Sequence, residues 1–212
     1  SQRPSLVIYD RAHSAIAEAS PEDFDWDNIF SGADWFHITG ITPALSEGAA
    51  AISLQAVQAA KAHGVKVSCD LNYRAKLWSR ERAGEVMSQI MEYVDVCIAN
   101  EEDAEMVFGI KSGSDITGGS INVEGFKDVA QQLIDRFGLE LVGSHLRISR
   151  SASDNGWQVV LYDGNEFVQS TPYDIHIVDR VGGGDAFAGA LIYARLTGMS
   201  LQEAVEFGAA AS

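Results

Sequence analysis

The chain is short of several things, and each scarcity narrows what it can be. Its 212 residues hold two cysteines, Cys69 and Cys97, too few for a disulfide framework. Each sits inside an apolar β-like run, so both read as buried free thiols and not as a metal site. Cations are scarce too: 15 Lys and Arg stand against 30 Asp and Glu, for a net charge of -15. Such a balance argues against nucleic acid and anionic membranes as partners. It also means that an anionic substrate needs local cations or a metal to offset the overall field. No apolar run approaches membrane-spanning length, and the N-terminus has no signal-peptide pattern, so the chain reads as soluble and cytoplasmic. There is no internal repeat and no composition break that would mark a second domain.

What is present is an α/β alternation. With 46% hydrophobic residues the chain can build one well-cored domain. The run Leu6–Tyr9 reads as a strand, followed by Asp10, Arg11 and a small-residue helix from Ser14 to Ala19. A second apolar strand, Asp34 to Thr39, ends at Gly40 and contains His37, read as a structural histidine. An Ala-rich helix over 46–62 leads to a strand over 65–71, and a helix over 79–92 leads to a strand over 94–99. Strand, helix, strand in this order implies right-handed parallel crossovers. The expected fold is therefore a doubly wound α/β domain, with a mostly parallel sheet and flanking helices.

Further on, Lys111 to Val123 reads as a Gly/Ser loop, and 124–137 as an amphipathic helix. Leu139–Val142 and Leu146–Ile148 read as strand pieces interrupted by Gly143-Ser144-His145. A hairpin is expected around Asp163-Gly164-Asn165, and the last helix spans 201–211.

Polar residues concentrate where strands end, the place where doubly wound folds gather ligands. One strand ends in Asp70-Leu71-Asn72-Tyr73-Arg74, and the next in Asn100-Glu101-Glu102-Asp103. Asp70, Asn72 and Arg74 alternate and can converge on one ligand, with Arg74 a suitable fork for a carboxylate.

The stretch that organises the rest is Ile177 to Tyr193, IVDRVGGGDAFAGALIY. An apolar run of Ile175, Ile177 and Val178 resembles a strand end; Gly182, Gly183 and Gly184 follow, then Asp185. Phe187, Ala190, Leu191 and Ala194 recur at helical spacing, so a helix begins at or just before Asp185. Glycines at a strand-to-helix turn bring unpaired N–H groups and the positive end of the helix dipole into one small space, which suits an anion. Two readings stay open from the residues alone. Asp185 is either a helix cap without chemistry or a general base facing a phosphorus held by the glycines. A Walker A loop is excluded, because Gly184 is followed by Asp185-Ala186 and not Lys-Ser/Thr. A dinucleotide fingerprint is excluded, because Phe187 stands where a glycine is needed.

The segment Asp179-Arg180-Val181-Gly182-Gly183-Gly184-Asp185-Ala186-Phe187 resembles the GxGD signature of the ribokinase-like (PfkB) carbohydrate kinases. Its opening, together with Asp70-Leu71-Asn72-Tyr73-Arg74-Ala75-Lys76-Leu77-Trp78, is similar to the 2-keto-3-deoxygluconate kinase branch. The resemblance implies an ATP-dependent kinase, active on the terminal hydroxyl of that sugar acid, with Mg²⁺ and with K⁺ as a monovalent cation. Asp185 becomes the base, and Gly182, Gly183 and Gly184 the seat of the moving phosphoryl. Arg11, Asp70, Asn72 and Arg74 become substrate contacts, with residues 5–13 matching a strand of a small β lid. Asn100 and Asp103 match an Asn-x-x-Glu motif that organises Mg²⁺ largely through water, with Asp103 standing where relatives have glutamate. Asp179 falls beside the monovalent-cation position. Arg147, Ser149 and Asn155 fall on the nucleotide side, where His145-Leu146-Arg147 replaces a Thr-Leu-Arg-Glu-like sequence.

Relatives carry an early Gly-Gly sugar contact and a later adenine loop that the sequence lacks, so it reads as truncated at both ends. A homodimer through the lid sheet is the family expectation. The remaining readings are a kinase for another sugar such as fructose or ribose, and a non-catalytic sugar-binding member.

Overall fold

The computed structural model describes residues 10–113, 123–149, 154–177 and 181–212. After two short helices, α1 (Ala15–Glu18) and α2 (Trp26–Phe30), the chain alternates: β1 (Trp35–Thr39), α3 (Glu47–Ala62), β2 (Lys66–Asp70), α4 (Arg80–Met91), β3 (Val96–Ile98) and α5 (Glu101–Phe108). Then come α6 (Val123–Phe137), β4 (Leu141–Ser149), β5 (Asp154–Tyr162), β6 (Phe167–Gln169), β7 (Tyr173–His176), α7 (Gly183–Leu196) and α8 (Leu201–Ala211).

Helix starts follow local chemistry. The Ser46 side chain accepts from the Ala49 amide, Ser79 from Arg82, Asn100 from Asp103 and Ser200 from Glu203. Each satisfies one of the amides that a helix N-terminus leaves unpaired. Ser200 and Glu203 complete a reciprocal capping box.

The strands form one seven-stranded sheet in the order β1-β2-β3-β4-β5-β6, with β7 also paired to β5. β1 to β4 are mutually parallel, while β4–β5, β5–β6 and β5–β7 are antiparallel. This is a mixed α/β fold whose sheet is mostly parallel and carries helices on both faces. Side-chain alternation divides its core in two. Val67, Cys69, Cys97, Val142 and Val160 join α3, α4, α5 and α6 on one face. Val96, Ile98, Leu141, Val159 and Leu161 join α7 and α8 on the other. Cys69 and Cys97 are register partners on β2 and β3, both free and fully buried.

Two expectations are corrected. Gly143, Ser144 and His145 do not interrupt a strand; they pair with Leu161, Val160 and Val159 within a continuous nine-residue β4. Glycine fits closely there, since a β-carbon on Gly143 would lie 2.8 Å from Leu161 Cδ2 and 3.2 Å from Phe187 Cζ, and those side chains would have to shift to admit it. The apolar run before the glycine turn also differs. Ile175 belongs to β7, which ends at His176, so Ile177 lies past it. Val178 falls outside the described residues, as does the whole of the expected strand Leu6–Tyr9.

Candidate active site

A cleft of about 1170 Å³ opens beyond the carboxyl ends of β2 and β3 and runs to the start of α7. Its parts come from separate loops that the parallel sheet brings side by side. Asp70 closes β2, and Asn72 follows with a positive φ of 39°, a region that suits asparagine better than most residues. The Asn72 amide donates to Thr39 Oγ1 at 3.2 Å, tying the end of β2 to the end of β1. Next, the Tyr73 amide donates to Asp103 Oδ1 at 3.2 Å, and Arg74 donates to the Tyr73 carbonyl at 3.1 Å. Asn100 caps α5 by accepting from the Asp103 amide at 2.7 Å.

Four carboxylates, Asp70, Glu102, Asp103 and Asp185, shape the field of the cleft. Burial pushes Asp70 up to about 7, and the negative charges of Asp103 and Asp185 add to the rise. Arg74 and the Asn72 amide oppose it. Burial also raises Asp103, against the Tyr73 amide and Arg74. On β1, burial lowers His37, partly offset by Asp185, and its Nδ1 lies 2.8 Å from Ser68 Oγ.

The glycine turn closes the cleft. Gly182 is the N-cap of α7 with φ 82°, a conformation open to glycine at little strain. Asp185 is the third residue of the helix and does not cap it; no side chain among the described residues does. The first-turn amides therefore keep their donors for something else, unlike those of α3, α4, α5 and α8. Behind the turn, His145 stacks on Trp157 with ring centroids 5.0 Å apart and meets the edge of Phe187. Its Cε1 would lie 3.7 Å from a β-carbon on Gly184, so the imidazole forms a shelf under the glycines.

Most of the expected site residues meet here: Arg11, Asp70, Asn72 and Arg74 line the cleft. So do Asn100, Asp103, Gly182, Gly183, Gly184 and Asp185. Asn155 does not; it is 1% exposed on β5, and neither polar atom of its side chain has a hydrogen-bond partner among the described residues. Arg147 and Ser149 lie on β4, with side chains outside the described residues, and Asp179 is outside them altogether. The cleft also holds residues that sequence reasoning passed over, among them Ile41, Lys76, Arg80, Glu102 and Met106. Lys76 and Arg80 sat in plain view, two and six residues beyond Arg74.

Among the described residues, no group of three or more His, Cys, Asp or Glu is placed to hold a metal ion. Asn100 Oδ1 is already engaged by the Asp103 amide. Glu102 and Asp103 nevertheless present carboxylates to the cleft. This sparse donor set fits an ion such as Mg²⁺, which keeps most of its waters and shares a substrate's oxygens. No helix among the described residues is long and apolar enough to cross a membrane.

Known proteins share this sequence pattern and fold. A 2-dehydro-3-deoxygalactonokinase from Haloferax volcanii is 31% identical over 98% of this chain and 59% of its own length. The crystal structure of 2-dehydro-3-deoxygluconokinase from Thermotoga maritima is 52% identical, with a TM-score of 0.91, over 100% of this chain and 62% of that one. A PfkB family carbohydrate kinase from Listeria grayi is 36% identical with a TM-score of 0.87, over 97% of this chain and 61% of that one. The chain thus spans about three fifths of the length of the relatives it matches. The family model for pfkB family carbohydrate kinase matches residues 2–212, and the chain belongs to that family.

Proposed function

We propose that the cleft is the site of an ATP-dependent kinase for a 2-keto-3-deoxy sugar acid, 2-keto-3-deoxygluconate above all. The observation that carries this reading is the pairing of an uncapped glycine-turn helix start, bearing Asp185, with Arg74 and Arg11 in one cleft. The first-turn amides of α7 hold the oxygens of the γ-phosphoryl as charge develops on them. The terminal hydroxyl of the sugar attacks the γ-phosphorus, and Asp185 takes the hydroxyl proton. A new O–P bond forms, the bond from phosphorus to the β–γ bridging oxygen breaks, and ADP carries away that electron pair. Arg74 and Arg11 orient the substrate carboxylate, while Asp70 and Asn72 hold its hydroxyls. Mg²⁺, held through water by Glu102 and Asp103 near Asn100, would supply charge neutralisation of the nucleotide phosphates.

The Thermotoga and Haloferax relatives are named for the gluco and galacto epimers, so the keto-acid class is better supported than either epimer. K⁺ dependence, a homodimer and the nucleotide contacts of Arg147 and Ser149 remain expectations of the family likeness.

The test is ATP consumption by this chain with each keto-acid epimer, fructose and ribose. Turnover with a keto acid, reduced about 10²–10⁴-fold in Asp185→Asn while sugar binding persists, supports the reading. Turnover with neutral sugars alone overturns the role of Arg74. Equal turnover in Asp185→Asn overturns its role as base.

A further inference from the structure

Most cations of the described residues are engaged by the protein itself. Lys61 and Lys66 pair with Asp95, Lys66 also with Glu140, and Lys111 with Glu105. Arg82 pairs with Glu47 and Glu85. Arg136 lies over the rings of Phe108 and Phe137 and donates to the Phe108 carbonyl. Lys76 and Arg80 are different. Neither has an ion pair or hydrogen bond among the described residues, both are exposed, and both line the cleft.

The placement of Arg80 runs against helix electrostatics. It is the first residue of α4, where the positive end of the dipole disfavours a cation. Arg82, two residues on, offsets the same conflict with two ion-paired carboxylates, whereas Arg80 has only the through-space charge of its neighbour Glu81 and no ion pair among the described residues. A cation kept at a helix start with no ion pair among the described residues, in a chain of net charge -15, is explained by an anion that arrives from outside.

We propose that Lys76 and Arg80 form a second anion position in the cleft, which takes the non-transferred phosphates of a nucleoside triphosphate. The proposal rests on the kinase reading above. The glycine turn accounts for one phosphoryl group and Arg74 for one carboxylate. Two further cations would over-neutralise a monocarboxylate, but a polyphosphate spreads several charges over a length that Lys76 and Arg80 can follow. They share the cleft with Glu102 and Asp103 on the first turn of α5. A hydrated cation held by that acidic turn would neutralise part of the phosphate charge, and Lys76 and Arg80 would take the remainder. An ammonium and a guanidinium both serve as phosphate donors, the second with a fixed fork.

The test is calorimetric binding of ATP, ADP, AMP and the keto acid to the wild-type chain, to Lys76→Ala, Arg80→Ala and the double variant, and to Arg80→Lys. ATP and ADP should bind about tenfold more weakly to the double variant, with AMP and the keto acid changed by less than about twofold. Arg80→Lys should retain most of the affinity. Arg80→Ala should unfold at the same or a slightly higher temperature, because the dipole conflict is relieved. Unchanged ATP affinity in the double variant overturns the proposal, as does a selective loss of keto-acid binding. A Tm lowered by several degrees in Arg80→Ala overturns it in favour of a structural role. A wild-type chain that binds the keto acid but no nucleotide overturns the kinase reading itself, and this proposal with it.

Discussion

The backbone amide of Tyr73 donates to the carboxylate of Asp103, so the loop after β2 is tied to the first turn of α5. Asp103 thereby links the two loops that carry Arg74 and Asn100. Asp103→Ala should lower stability by about 1–2 kcal/mol, because a partly buried amide loses its acceptor. Asp103→Asn, which keeps an acceptor oxygen, should recover most of that loss. Urea unfolding of the two variants distinguishes them; equal midpoints would show that the tether contributes nothing.

Asp70 should make the protein less stable as pH rises. Its folded-state pKa is raised from 3.8 to about 7, so the folded protein binds this proton more tightly than the unfolded chain does. Stability from the neutral form is full below about pH 4 and is lost as pH climbs toward 7. Asp70→Asn mimics the neutral form. It should gain a few kcal/mol over wild type at about pH 8 and little near pH 4. A pH-independent difference between the two would refute the assignment.

Asn72 combines a positive φ with a bond to Thr39. Asn72→Gly relieves the backbone and loses only the bond, for about 1 kcal/mol or less. Asn72→Val adds β-branched strain and should cost about 2–3 kcal/mol. Thermal unfolding gives the order of the pair, and the reverse order would count against the strain.

Phe187 fills the space beside two glycines, and a β-carbon on Gly208 would lie 2.9 Å from its Cδ2. Gly208→Ala should therefore destabilise by about 1–3 kcal/mol through overpacking of α8 against α7, despite the better helix propensity of alanine. A stabilised Gly208→Ala would show that the two helices can separate at no cost.

What could be read from the sequence was local chemistry. Ser46, Ser79, Asn100 and Ser200 each cap a helix within three residues of themselves, so those boundaries were visible without a partner. The glycine turn and its helix were visible for the same reason. Gly143-Ser144-His145 looked like a break because its strand character depends on pairing with β5, and the close fit of glycine arises from Leu161 and Phe187. Asn155 looked available to a ligand because its burial depends on strands on both sides, with Ser149 opposite on β4 and Ile175 on β7. Lys76 and Arg80 passed as ordinary surface charges because a missing ion pair can be seen only in space.

The two buried cysteines turn the sheet into its own reporter. Cys69 lies one residue before Asp70, in register with Cys97 on the next strand, and burial pushes both thiols upward in pKa. A thiol reagent therefore meets no reactive sulfur in the closed protein. Its rate of uptake measures how often β2 and β3 part, and ligands seated in the cleft should slow that clock in proportion to how firmly they hold the strand ends together.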